Sequence, residues 1–188
     1  MSKGLKIGII VGVIVLLFGA IIGTTYNKLV SLSEDVDNKY ADISVQLERR
    51  ADLIPNLVNT VKGYMEHEQE VINSVTKARE NLVNASNAEE QATANQELTT
   101  ALNNLFVIVE NYPELKSDTS FIQLQDELAG TENRIAVART QYNETVKDYN
   151  KTIKSFPKNI IASMFGFDEK EYFIAKDSAN EVPNVSFE

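Results

Sequence analysis

The chain has 188 residues with no Cys, no Trp, one His, eight Gly, four Pro and a formal charge of −9. That length suits one domain with a real core. The missing Cys excludes disulfides, thiolate metal sites and Cys nucleophiles, and His67 alone cannot build a His-rich metal site. Gly and Pro stand at about half their usual combined share of roughly 12%, which argues against a β-sandwich or an α/β fold and for long uninterrupted helices.

Residues 7–25 carry no charge and approach the roughly 20 residues that a helix needs to cross a hydrocarbon core. They form a candidate membrane anchor that meets lipid. A cleaved signal peptide is the rival, because Lys3 and Lys6 make a basic start. Against it, the apolar run exceeds an h-region of about 7–15 residues and no A-x-A site follows. Lys3, Lys6 and the α-amine precede the run while only Lys28 and Lys39 follow closely, a slight bias that predicts a cytoplasmic N-terminus and a body on the outer face. All 27 acidic residues lie at Glu34 or later, so the body is expected to stand off nucleic acid and anionic lipid. Gly4, Gly8 and Gly12 recur every four residues, and Gly19 and Gly23 repeat the spacing. Two such strips would let a second span approach closely.

Beyond the anchor, Leu29, Leu32, Val36, Tyr40, Ile43 and Leu47 alternate steps of three and four, the mark of a helix with one buried stripe. Neither Gly nor Pro occurs between Thr24 and Ile54, so the anchor is expected to run straight into this helix. Asp52 can cap a new helix with Pro55 in its first turn, and a hairpin boundary near Ala51 and Asp52 is the favoured reading. A kink at Pro55 in a single longer helix is the alternative. The second helix then extends to the polar run 84–90, whose Ser, Asn and acids suit a helix end and a new start. A third covers residues 89–112, stopped by Pro113. A fourth opens at Ser117 or Asp118 and closes at Phe156 and Pro157. Short connections between helices of similar length favour antiparallel neighbours. The expected fold is therefore all-α: a membrane helix, then an up-and-down antiparallel bundle of about four helices, then a short helix over residues 159–166 and an extended tail that folds back on the bundle. The corresponding regions are 1–25, 26–156 and 157–188.

The run from Val45 to Tyr64, VQLERRADLIPNLVNTVKGY, closely resembles the signature of the LemA family of bacterial membrane-anchored proteins. Ile135-Ala-Val-Ala-Arg, the Tyr-Asn pairs at Tyr142 and Tyr149, Phe156-Pro157, Phe165-Gly-Phe167, Tyr172-Phe173 and the Pro183, Val185, Phe187 ending continue the resemblance in order. It implies one N-terminal membrane helix, a mostly helical antiparallel bundle and an envelope role near membrane proteases, with no catalytic residues to carry over. Two positions depart from the family pattern: Tyr40 stands where Trp is usual and Ser44 where Asp is common.

The sharpest polar cluster is Arg49, Arg50 and Asp52, with Pro55 and Asn56 beside it. Arg50 falls on the apolar stripe, where a charge needs a partner. One reading pairs it with an acid on a neighbouring helix while Asp52 caps; the other makes the cluster an anion or partner site at the end of the bundle. Gly63 and Gly130 interrupt long helices at about 1 kcal/mol each against Ala, so each is expected at a close interhelical contact. Tyr142 and Tyr149, two helical turns apart, read as core. Glu66, His67, Glu68 and Glu70 invite a metal, but a Glu-x-x-His pattern would need Glu where Tyr64 stands, and a solvated acidic face is the better reading. No catalytic residue, metal or cofactor is expected. The functional expectation is a non-catalytic binding or scaffold protein at the cell envelope, acting through protein partners or as a homo-oligomer. An accessory of a membrane protease, or a membrane-shaping protein working through residues 160–167, is the alternative.

Overall fold

A computed structural model describes residues 2–65 and 67–175. Among these residues the protein is all-helical: α1 (Lys3–Lys62), α2 (Gln69–Asn84), α3 (Ala88–Val109), α4 (Pro113–Lys116), α5 (Thr119–Lys154) and α6 (Lys158–Phe165). The Pro183, Val185, Phe187 ending and Glu66 lie outside the described residues.

The favoured hairpin at Ala51 and Asp52 is corrected by α1, which runs unbroken from Lys3 to Lys62 with Pro55 inside it. Asp52 therefore sits mid-helix and caps nothing. Proline removes the N–H that would bond the carbonyl four residues earlier, here that of Ala51. That buried carbonyl instead accepts from Arg79 Nε of α2 at 2.8 Å. The chain breaks at Gly63, where the N–H groups of Gly63 and Tyr64 bond back to Thr60 and Val61 in a tight last turn.

The described residues form two compact units, residues 2–38 with 144–170, and residues 39–143 with 171–175. In the first, Leu29 and Val36 of α1, Val146, Tyr149 and Ile153 of α5, and Ile161 and Ala162 of α6 are buried. Lys170 pairs with Asp37 at 2.8 Å. Residues 7–18 of α1 are exposed throughout, Leu16 to 75%, and this is the one described helix long and apolar enough to cross a membrane.

In the second unit α2 packs on α3. Contacts between α1 and α5 join Lys39 to Gln141, Gln46 to Arg134 and Arg49 to Glu127, so partner numbers fall on α5 as they rise on α1. Burial on both helices recurs every seven residues: Ile43, Arg50 and Leu57 on α1, and Phe121, Leu128, Ile135 and Tyr142 on α5. A spacing of seven keeps one seam of a helix facing its partner.

The polar run before α3 works as its composition suggests. Asn87 accepts from the Glu90 N–H at 2.8 Å, which satisfies one donor that helix geometry leaves unpaired, and Glu90 accepts from the Ser86 N–H just before the cap at 2.8 Å. Asn87→Ala is expected to cost about 1 kcal/mol in urea denaturation; a change indistinguishable from zero would remove the capping role. At the far end of the chain's helices, Gly166 adopts φ 73°, a conformation that only Gly takes without strain, and the Phe167 N–H bonds to the Ala162 carbonyl at 3.0 Å, closing α6.

Candidate functional site

The five clustered residues do not converge on one site. Arg49, Asp52, Pro55 and Asn56 are exposed, whereas Arg50 is 3% exposed. Arg49 lies 3.6 Å from Glu127, both side chains open to water, and such a pair contributes little. Asp52 borders a shallow cavity of about 360 Å³ together with Glu48, Arg79 and Gln91. Asn56 offers its carbonyl to the Thr60 hydroxyl at 3.0 Å.

Arg50 occupies a position of the seven-residue stripe that its neighbours fill with aliphatic side chains, and it is held by two other helices at once. Its Nη1 donates to Asn95 Oδ1 of α3 and lies 2.6 Å from Glu132 Oε2 of α5, a charge contact without hydrogen-bond alignment. Nη2 donates to Thr99 Oγ1 at 3.0 Å, and that hydroxyl in turn donates to the Asn95 carbonyl at 3.0 Å. Burial pushes the guanidinium below its ordinary value and the Glu132 charge pulls it back up. The chemistry available here is attachment, since both terminal nitrogens of the guanidinium are engaged by groups of its own chain.

A second polar device lies on α5, where Tyr-Asn occurs twice at seven-residue spacing. In the first unit Tyr149 donates to the Asp168 carbonyl at 2.9 Å, and the Asn150 amide both donates to the Lys170 carbonyl and accepts its N–H, each at 2.9 Å. In the second unit Tyr142 donates to the Glu171 carbonyl at 2.7 Å, and Asn143 exchanges the same pair of bonds with Phe173. A primary amide can complete both bonds that an extended peptide offers on one edge. Tyr142 and Tyr149 are buried as core residues, but their hydroxyls and the adjoining Asn residues also clamp backbone. That role was missed, although the repeated Tyr-Asn at a spacing of seven was a visible signal.

At Gly63 an added Cβ would meet only the Thr60 carbonyl of its own turn, at 3.4 Å, and at Gly130 only the Arg134 guanidinium of its own helix, from 3.5 Å. The expectation of a close interhelical contact is corrected: among the described residues no other helix approaches either glycine within 4 Å. Gly63 ends a helix, and Gly130 lies on an open stretch of α5. Gly4, Gly8, Gly12, Gly19 and Gly23 face open space. Of the acidic run, Glu68 accepts from the Tyr112 hydroxyl at 3.0 Å, and among the described residues no group of three or more acids and His is placed to hold a metal. Tyr40 lies 5.7 Å from the Tyr142 ring, and the Ser44 hydroxyl donates to the Tyr40 carbonyl at 3.1 Å. Burial, with the charges of Glu171 and Glu90, raises the Tyr40 phenol above its ordinary range.

Asp118 opens α5 by accepting from the Phe121 N–H at 3.0 Å and from the Tyr64 hydroxyl at 3.0 Å; these bonds favour its charged form and hold its carboxyl below the usual 3.8. Since the folded value lies below the unfolded one, this contribution is complete above the unfolded value and is lost as pH falls through the folded one. The stability difference between wild type and Asp118→Ala should therefore shrink as pH drops below 3.8, and a difference constant across that range in acid-titrated urea melts would remove the linkage.

Fold and site together define an all-helical protein whose buried polar groups join its helices, with one helix apolar enough to cross a membrane. The chain belongs to the LemA family, whose model matches residues 39–187. It is similar to the magnetosome proteins MamQ 2 and MamQ 1 of Paramagnetospirillum magneticum, each 26% identical over 86% of this chain and 68% of the relative. Magnetosome protein MamQ of Magnetospirillum gryphiswaldense is 25% identical with the same coverage.

Proposed function

We propose that the protein is a single-pass, non-catalytic scaffold at the bacterial cell envelope, anchored by residues 7–25 with its N-terminus in the cytoplasm and its body on the outer face. The observation that carries this reading is α1 itself: a single helix whose first part is apolar and fully exposed and whose later part supplies a core stripe. An exposed apolar surface of that length is stable in lipid and costly in water. The opposed numbering of the contacts between α1 and α5, from Lys39 with Gln141 to Arg49 with Glu127, supports an antiparallel pairing of these helices within the second unit. Such a bundle offers surface for protein partners or a second copy, and its acidic charge disfavours nucleic acid. The magnetosome names of the similar relatives support a part in an organised assembly.

The absence of Cys from the chain makes the topology directly testable. With a membrane-impermeant maleimide on spheroplasts, Asn104→Cys is expected to label from outside and Ser2→Cys only after lysis. The reverse pattern overturns the orientation, and recovery of both variants in the soluble fraction after removal of peripheral proteins overturns the anchor. Photo-crosslinking from position 56 in cells is expected to capture a protein, and its absence at every exposed position from 49 to 56 would remove this end of the bundle as the docking region.

A further inference from the structure

The end of the anchor is not left bare. Tyr26 follows the uncharged run directly, and its ring lies 4.9 Å from Phe165 and 5.8 Å from Phe167 in tilted and edge-on contacts. These contacts pin the C-terminal end of α6 at the level where the anchor ends. Ile161 and Ala162 turn inward, while Ile160, Met164 and Phe165 are 57%, 59% and 48% exposed, and Phe156, just before the helix, is 82% exposed. Ile160 and Met164, four residues apart, share one edge of α6, and Phe156 precedes the helix. That is a concentrated apolar edge for eight residues in water, placed beside the one described segment apolar enough for lipid.

We propose that α6 is a second membrane contact: it lies in the boundary between headgroups and acyl chains of the leaflet from which α1 emerges, with Phe156, Ile160 and Met164 in lipid. This rests on the anchor reading above. The occupant is the bilayer because the patch is continuous with the anchor through Tyr26, a residue type that settles at membrane interfaces. Eight residues span about 12 Å, short enough to lie flat at the boundary, where interfacial helices bury an apolar face by about 5–10 Å. Charge is not the attraction. Lys154 is already paired with Glu169 at 2.7 Å, so binding should not require anionic lipid. The consequence is that α1 is held at two points, along the anchor and at its exit, which fixes its depth and rotation in the leaflet.

The natural absence of Trp supplies the test. The full chain is reconstituted in phosphatidylcholine vesicles whose acyl chains carry bromine at shallow or deep positions, with one Trp introduced at a time. Met164→Trp and Ile160→Trp alter exposed positions and spare the fold. Leu16→Trp reports the anchor, and Asn38→Trp lies about 18 Å further along α1 than Tyr26. The expected result is quenching of Leu16→Trp by deep bromines, quenching of Met164→Trp and Ile160→Trp chiefly by shallow ones, and no quenching of Asn38→Trp. Quenching at Leu16 with none at positions 160 and 164 overturns the second contact and leaves the anchor standing, whether those Trp emit as in water or are blue-shifted beneath another protein surface. No quenching at Leu16 overturns the anchor itself.

Discussion

Arg50→Ala is expected to lower the unfolding free energy by about 1–3 kcal/mol, the cost of leaving buried polar partners unsatisfied, since the Glu132 end of the ion pair is 40% exposed. The cost arises in what is left behind. Asn95 Oδ1 and Thr99 Oγ1 lose their donor and Glu132 loses its counter-charge, all around a cavity the size of a long side chain. Urea denaturation at neutral pH measures it, and a loss under about 1 kcal/mol would show that water replaces the guanidinium without difficulty. Replacing the group together is a different matter: Arg50→Met with Asn95→Leu and Glu132→Leu is expected to recover most of the loss, because well-packed apolar substitutes often match a buried ion pair. A stable triple variant that binds its partners normally would make the network purely structural. One that is stable but captures no partner in crosslinking would show that the ion pair fixes helix register for recognition.

Arg79→Met is expected to cost about 1–3 kcal/mol by leaving the buried Ala51 carbonyl without a donor, and that cost should largely vanish in a Pro55→Ala background. Proline is the reason the carbonyl is free. Once residue 55 regains an N–H, the ordinary helical bond to Ala51 can form and Arg79 becomes dispensable. Pro55→Ala alone is expected to raise Tm, since proline is the least favourable interior residue of a helix. A full double-mutant cycle reads the coupling directly. Equal losses for Arg79→Met in both backgrounds would mean that Arg79 acts by packing alone and that the carbonyl is satisfied by other means.

These two sites mark where sequence reasoning succeeded and where it stopped. The apolar stripes, the new start in the polar run 84–90, the opening of α5 at Asp118 and the Gly166 ending were legible, because each depends on residues within one or two turns of each other, whereas the third helix stops at Val109 and Pro113 opens α4 instead of ending α3. The burden on Arg50 was legible too, since a charge within an apolar stripe demands a partner, though Glu132 could not be singled out from the other acids. Pro55 misled because its consequence is settled at a distance: the freed carbonyl is met by a side chain 28 residues later, and local rules see only the missing N–H. Gly63 and Gly130 misled in another way, since a glycine required by a neighbour's approach and one that is merely tolerated look the same in one sequence.

The Tyr-Asn pairs of α5 hold residues 168–173 through carbonyl and N–H groups, which every residue except proline supplies alike. That segment is thus specified by where it lies more than by what it is made of. Tyr172, whose peptide groups the clamp does not use and which is 39% exposed, is the freest of these residues to change. A proline at Lys170 or Phe173 would instead be refused, because each of these N–H groups is bonded to an Asn amide.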